Sequence, residues 1–204
     1  GLYKEAYEFF EISNKISAEI PKNDSDKKKF MNSILQRINY FSNFTSITNQ
    51  KKLKKSHNSD PVFLIGFPRS GTTLLDTILR THNLVEVIEE KPIVDRLLKR
   101  IEKNTGSSFS NLEEIDELEV IKLRELYNSE RQKYIKFNKG KIYVDKFPLN
   151  IVYLAEISKI FPNAKYILAL RNPRDSVLSC FMQSFTPNDA MSNMLNINDT
   201  SNLY

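Results

Sequence analysis

The sequence predicts a three-layer α/β fold in which a parallel sheet is flanked by helices. Residues 62–65 form a short apolar run between a proline and a glycine, as expected of a strand buried on both faces. A loop and a helix follow, since the apolar residues within 74–79 recur at helical spacing. Apolar runs at 142–144 and 166–170, with a helical pattern at 148–161 between them, predict a second strand–helix–strand unit.

A helical segment is predicted ahead of the sheet. Apolar residues recur with helical periodicity over residues 3–16 and again over 26–41, so we expect two helices. Residues 42–60 are rich in Ser, Asn, Thr and Lys and lack a sustained period, which is typical of a linker. We therefore divide the chain into a helical prefix with its linker, residues 1–60, and a main domain, residues 61–204.

Two further helices are predicted in the main domain. Residues 111–137 combine spaced apolar positions with many charged ones, which predicts one long helix with a solvated face. The turn Asn172-Pro173 is followed by a second helix from about Arg174. The polar stretch 187–202 offers little core.

The composition of the chain argues against a membrane-spanning protein, a nucleic-acid-binding protein and a disulfide-stabilised protein. With 40% hydrophobic and 27% charged residues the chain reads as globular, and no apolar run reaches the length of a membrane span. The formal charge of +5 suits an anionic ligand, but no nucleic-acid-binding module is present, so we expect no nucleic-acid partner. Cys180 is the only cysteine, which excludes an internal disulfide and a cysteine-based zinc site and fits a cytoplasmic location. No signal-peptide pattern opens the chain, and its first residue, Gly1, predicts that the true N-terminus lies upstream.

The loop after the first strand carries the most specific signal. Residues 66–73 read Gly-Phe-Pro-Arg-Ser-Gly-Thr-Thr, which has the glycine spacing of a phosphate-binding P-loop with Thr72 in place of the nucleotidase lysine. Backbone N–H groups at the helix start and the hydroxyls of Ser70, Thr72 and Thr73 can hold an anion. Arg69 adds a planar cation. A donor with a phosphate and a further anionic group therefore fits better than ATP.

These residues resemble those of sulfotransferases that use 3′-phosphoadenosine 5′-phosphosulfate (PAPS). The string Pro-Arg-Ser-Gly-Thr-Thr, the run at 145–150 and the run at 171–176 are similar to the branch that carries TPR repeats ahead of its catalytic domain. Tyrosylprotein sulfotransferases look like more distant relatives. The helix that begins at Tyr3 resembles the end of the TPR segment, which implies a TPR-like prefix. The resemblance also implies that the domain lacks its C-terminal part, because the family normally continues through further helices after the run at 171–176.

The resemblance implies a role for each site residue. It assigns the donor's 5′-phosphosulfate to the loop, and the 3′-phosphate to the arginine after the 166–170 strand and a serine eight residues later. The acid 21 residues beyond the loop arginine is implied as the general base, with its neighbour Glu89 or His82 as alternatives. The implied catalytic residues are Glu90, Lys146 and Arg69, and the implied donor-binding residues are Arg69, Ser70, Gly71, Thr72, Thr73, Arg171 and Ser179. Neither a metal nor a covalent intermediate is implied, and the product is 3′,5′-ADP.

The charge chemistry of the transfer agrees with these assignments. Lys146 follows a strand and so lies at the carboxyl edge of the sheet, where open α/β domains bind ligands. A cation there can stabilise negative charge on the leaving phosphate oxygen.

Two other functions stay open. A P-loop kinase or triphosphatase would use the same loop, although Thr72 replaces the lysine. The third hypothesis is that the chain is an inactive, truncated sulfotransferase-like module that binds another protein. The acceptor, whether protein tyrosine, carbohydrate, lipid or small molecule, is left undetermined.

Overall fold

The computed structural model describes residues 1–19, 25–42 and 60–204. Twelve helices and strands lie in these ranges, with 3₁₀ turns between some of them. In chain order they are α1 (Tyr3–Glu19), α2 (Lys27–Ser42), β1 (Val62–Gly66), α3 (Thr72–Arg80), β2 (Val85–Glu89), α4 (Ile93–Thr105), α5 (Glu117–Gln132), β3 (Ile142–Lys146), α6 (Leu154–Ile160), β4 (Lys165–Ala169), α7 (Pro173–Phe181) and α8 (Ile197–Leu203). None of these helices is long and apolar enough to cross a membrane.

The chain divides into two compact units. Among the described residues, the sheet unit comprises 60–67 and 71–170, and the terminal unit comprises 1–19, 25–42, 68–70 and 171–204. The predicted boundary between residues 60 and 61 stays a prediction, and the predicted linker lies almost wholly outside the described residues.

The sheet unit has the predicted α/β architecture. Its four strands are all parallel and stand in the order β2-β3-β1-β4. Because parallel strands present their carboxyl ends at one edge, β2 and β3 bring Glu89 opposite Lys146 in register. This edge is where the sequence predicts the ligand.

Helices cover both faces of the sheet. On one face, Phe63 and Ile88 belong to a core completed by α4, α5 and α6. On the other face, Leu64, Val87 and Val144 form a smaller core against which α3 packs through Leu75 and Leu79. Successive residues of β1 thus serve opposite cores, as the pleat requires, and the prediction of a strand buried on both faces is confirmed.

Predicted helices at 111–137 and 148–161 are each divided into a 3₁₀ turn and a shorter α-helix; the second consists of the turn Pro148–Tyr153 and α6. The single helix over residues 111–137 is wrong: a 3₁₀ turn at Leu112–Glu114 comes first, and α5 begins only after Asp116 and ends at Gln132. The Asp116 carboxylate caps α5 by accepting a hydrogen bond from the Glu119 N–H at 2.7 Å, which stabilises a separate helix start.

β2 and α4 were absent from the sequence prediction. β2 carries Glu86 in partial exposure and Glu89 at its end, so its apolar pattern is interrupted. Its two buried residues belong to opposite cores: Ile88 to the larger one and Val87 to the smaller one.

The terminal unit contains helices α1, α2, α7 and α8. The two predicted N-terminal helices are present, and each is slightly longer or shifted relative to its predicted range. The buried Asn14 of α1 donates a hydrogen bond of 2.9 Å to the Phe181 carbonyl at the end of α7. The Phe181 ring stacks on Tyr7 with ring centres 5.1 Å apart. Both contacts join α1 to the segment that carries Arg171 and Ser179.

Candidate active site

The loop after β1 leads into α3 through two residues of unusual backbone conformation. Arg69 and Gly71 both take left-handed conformations, with φ of +66° and +99°. A side chain at Gly71 would meet no atom within 4 Å, so the glycine is needed for its backbone conformation and leaves open space above it. Thr72 then begins α3, whose first turn has N–H groups without intrahelical partners.

The loop also holds an unsatisfied polar atom. The Ser70 hydroxyl is buried and has no hydrogen-bond partner among the described residues. Buried hydroxyls in native proteins are nearly always hydrogen-bonded. A buried hydroxyl without a protein partner can donate to an oxygen of an anionic ligand, and the phosphosulfate site at this loop stays a prediction.

Three of the predicted donor-binding residues come together in the terminal unit. The Arg69 Nε donates a hydrogen bond of 3.1 Å to the Ser179 Oγ, and the Arg171 Nη1 donates one of 3.1 Å to the Arg69 carbonyl. Arg69 and Arg171 are both exposed. Arg69 is thus the link between the other two residues: its guanidinium contacts Ser179, which lies 110 residues away in sequence, and its backbone carbonyl contacts Arg171.

Cys180 lies next to this group but is unsuited to covalent chemistry. Its side chain is fully buried, and its thiol donates to the Pro68 carbonyl at 3.3 Å. Burial raises the pKa of the Cys180 thiol to about 12. Because only the thiolate is nucleophilic, Cys180 serves as a core residue that fixes the loop backbone.

Two other predicted residues meet at the carboxyl edge of the sheet unit. The Lys146 Nζ lies 3.0 Å from the Glu89 Oε1 and 2.8 Å from the Glu90 Oε1, and we call these three residues the carboxylate–lysine cluster. The Lys146 side chain is fully buried, whereas those of Glu89 and Glu90 are about half exposed. The ammonium is therefore buried in the sheet unit, while the two carboxylates that contact it are partly exposed to solvent.

The backbone explains why two consecutive carboxylates reach one ammonium. Consecutive residues of a strand normally point to opposite faces. Glu90 follows the last residue of β2 with a left-handed φ of +48°, which changes the direction of its side chain. Its backbone N–H still donates to the Lys146 carbonyl at 2.8 Å, so the turn is anchored to β3.

A further ion pair extends from the cluster into α3. The Arg80 Nη2 lies 3.8 Å from the Glu89 Oε2, and Arg80 also hydrogen-bonds both carboxylate oxygens of the buried Asp76. Asp76 and Arg80 were not among the site residues predicted from the sequence. Their spacing of four residues on a predicted helix is the signal that was available, since such residues are neighbours on one face.

The charges in the cluster shift two pKa values. Although burial lowers the pKa of Lys146, its hydrogen bonds to Glu90 and Glu89 outweigh that effect and the pKa lies above its usual value. The hydrogen bond from Lys146, followed by the charges of Lys146, Arg80 and Lys91, holds the pKa of Glu89 below its usual value. Both groups are therefore charged at neutral pH.

The remaining candidate base has a local structural role. The His82 Nδ1 accepts a hydrogen bond of 3.2 Å from the Leu84 N–H in the turn before β2. Within residues 1–19, 25–42 and 60–204, no group of three or more His, Cys, Asp or Glu side chains is placed to hold a metal ion.

Comparison with known proteins relates the chain to sulfotransferases. The sequence model of the "Sulfotransferase family" matches residues 61–202. An uncharacterized protein of Aquifex aeolicus is 30% identical over 190 residues, which are 90% of this chain and 24% of that protein. Protein-tyrosine sulfotransferase 1 of Danio rerio is 32% identical over 133 residues, and that of Homo sapiens 31% over 131. Each alignment covers 61% of this chain, and 36% and 35% of the relative. The chain thus spans roughly a quarter to a third of the length of these relatives.

Proposed function

The chain belongs to the sulfotransferase family, and from that premise we propose that it moves a sulfuryl group from PAPS to a hydroxyl acceptor. The observation that carries the proposal is the meeting of Arg69, Arg171 and Ser179, joined by hydrogen bonds of 3.1 Å. PAPS has two separated anionic ends. In this proposal Arg69 and Ser70 of the loop serve one end. Arg171 and Ser179, each of which contacts Arg69, supply a cation and a hydroxyl donor for the other end.

Each donor-binding residue has a distinct role in this proposal. Arg69, Ser70 and the N–H groups from Gly71 to Thr73 bind the 5′-phosphosulfate, with the hydroxyls of Thr72 and Thr73 as further donors. Arg171 and Ser179 bind the 3′-phosphate. The planar guanidinium of Arg171 suits a phosphate because it can donate two parallel hydrogen bonds.

The carboxylate–lysine cluster carries out the chemistry. Glu90 accepts the proton of the acceptor hydroxyl, whose oxygen forms a bond to sulfur. The bond between sulfur and the bridging oxygen of the 5′-phosphate breaks, and Lys146 and Arg69 stabilise the charge that develops on that oxygen. The products are a sulfate ester and 3′,5′-ADP. PAPS supplies the activated sulfuryl group, and no covalent bond to the protein forms.

Turnover of labelled PAPS tests the function. We expect the purified protein to release 3′,5′-ADP and to transfer labelled sulfur to an acceptor in a mixture of tyrosine peptides, carbohydrates, lipid alcohols and small phenols. Protein tyrosine is the first acceptor to examine, because the relatives from Danio rerio and Homo sapiens are named for it. Tight binding of ATP with magnesium and indifference to 3′,5′-ADP would instead favour a kinase or triphosphatase. Absence of both binding and turnover would favour an interaction module.

Substitution of Arg171 tests the 3′-phosphate site separately. We expect Arg171→Gln to weaken 3′,5′-ADP binding about 10- to 100-fold, since a charged hydrogen bond contributes about 1.5–3 kcal/mol. Binding of adenosine 5′-phosphate, which lacks the 3′-phosphate, should change little. Isothermal titration of both nucleotides measures the difference.

Arg174→Gln is the matched control for this experiment. Arg174 is an exposed arginine in the first turn of α7, three residues beyond Arg171, so its substitution makes the same change in charge. Equal loss of affinity in both variants, or equal loss for both nucleotides in Arg171→Gln, would contradict the assignment of Arg171.

A further inference from the structure

The two carboxylates that contact Lys146 are not equivalent. The Glu89 Oε1 accepts from Lys146 at 3.0 Å while its Oε2 lies 3.8 Å from the Arg80 Nη2. In the part of the chain that the structure describes, the only ion pair of the Glu90 carboxylate is with Lys146, at 2.8 Å. Glu89 is thus bound on both sides, and Glu90 on one.

Helix α3 anchors the Glu89 side of the cluster. Arg80 hydrogen-bonds the Asp76 carboxylate, whose side chain is only 3% exposed and cannot move to other partners in solvent. The order of charges is therefore Asp76, Arg80, Glu89, Lys146 and Glu90, with alternating sign from a buried helix position to an exposed carboxylate.

The proposed reaction requires Glu90 to leave this arrangement. A carboxylate that remains paired with an ammonium is a weak proton acceptor, because the cation favours the ionised form. When Glu90 takes the acceptor's proton it also ceases to balance the buried Lys146. A buried ammonium without a counter-ion is strongly unfavourable, so a second anion must stay beside it.

We propose that Glu89 is a positioning residue that, anchored through Arg80 to Asp76, holds the Lys146 ammonium in place while Glu90 turns to the acceptor. The inference rests on the proposed function. Glu89 does not take the proton itself. It acts through Lys146. Because Glu89 stays in place as the counter-ion of Lys146, Glu90 is free to act as the base while Lys146 acts as the cation.

The pH dependence of turnover distinguishes this role from a structural one. The charged groups around Glu89 are Lys146, Arg80 and Lys91, with Glu90 as its neighbour in sequence. Turnover requires protonated Lys146, so activity falls as pH rises through the pKa of Lys146. Glu89→Gln removes a negative charge near Lys146 and lowers that pKa, so the alkaline limb of the kcat profile should move to lower pH by about one unit.

Glu89→Gln should also reduce kcat at neutral pH about tenfold, because Lys146 then pairs with Glu90 alone and keeps it from acting as base. Its affinity for 3′,5′-ADP should stay within about twofold of the original, since Glu89 is not a donor-binding residue. The matched control is Glu86→Gln, which makes the same change of charge on the same strand, where Glu86 pairs with Lys141 at 3.5 Å. We expect it to keep the original profile.

Each possible result for Glu89→Gln either supports or overturns the role proposed for Glu89. A Glu89→Gln profile identical to that of Glu86→Gln overturns the inference and leaves the proposed function intact. A complete loss of turnover overturns it too, because Glu89 would then be the base. If the unsubstituted protein does not consume PAPS, both proposals fail.

A second variant covers the case in which Glu89→Gln does not fold. Glu89→Asp keeps the charge but shortens the reach to Lys146. The alkaline limb should then stay in place while kcat falls. An aspartate variant with unchanged kcat would overturn the inference, because the position of the carboxylate would not matter.

Discussion

Glu90→Gln is expected to lower kcat for sulfuryl transfer by about 10³-fold, within the range that a general base contributes. Glutamine has nearly the same shape as glutamate and can still accept a hydrogen bond from Lys146, but its amide cannot take the acceptor's proton. The Glu90 side chain is 54% exposed, so the substitution should leave folding unchanged. Single-turnover measurements with labelled PAPS give the rate of the transfer step directly.

Donor binding provides the internal control for this prediction. Glu90→Gln should bind 3′,5′-ADP as tightly as the original protein, because the base contacts the acceptor and not the nucleotide. Glu86→Gln again serves as the matched substitution. If Glu90→Gln transfers sulfur at the original rate, Glu90 is not the base and the proposed mechanism is wrong in its central step.

The parts of the fold that the sequence predicts best are those set by local patterns. The strand–loop–helix at β1 and α3 follows from an apolar run, two glycines and a helical repeat, all within twenty residues. The error over residues 111–137 also has a local cause, because the pattern Asp116-x-x-Glu119 is a helix-start signal that the dense charges obscured.

Contacts between distant segments are predictable only in part. Parallel strands bring their carboxyl ends to one edge, so topology alone places Lys146 near the end of β2. The convergence of Glu89 and Glu90 on Lys146 depends on a left-handed φ at a non-glycine residue, which no periodicity in the sequence indicates. The hydrogen bond between Arg69 and Ser179 was not predicted: the resemblance implied only that both residues bind the donor. Tertiary packing, and not a local preference of the sequence, brings them together.

Asp145, the neighbour of Lys146 on β3, is a buried carboxyl that the proposed mechanism does not use. It is 1% exposed, its Oδ2 accepts a hydrogen bond of 2.9 Å from the buried Tyr127 hydroxyl, and its Oδ1 has no partner among the described residues. Burial raises its pKa from 3.8 to about 7, although the bond from Tyr127 acts in the opposite direction. Below about pH 7 the native protein therefore favours the protonated carboxyl.

Asp145→Asn is expected to stabilise the protein at pH 8 by up to about 4 kcal/mol and to have little effect near pH 4. Below pH 4 the carboxyl is protonated in both the folded and unfolded states. Between pH 4 and 7 the folded state retains the proton that the unfolded chain releases, so stability falls as pH rises by about 1.4 kcal/mol per unit. Asparagine does not ionise, so the variant lacks this loss.

Urea unfolding of both proteins at several pH values from 5 to 8 measures the difference in the free energy of unfolding. Asp95→Asn is the control, because Asp95 lies on α4 with 53% of its side chain exposed and should show no comparable gain. A stability difference for Asp145→Asn that is the same at pH 5 and pH 8 would show that Asp145 is ionised throughout. The buried charge would then need a stabilising partner other than Tyr127. The predicted gain at high pH thus tests whether the strand that supplies Lys146 carries a neutral carboxyl beside its ammonium.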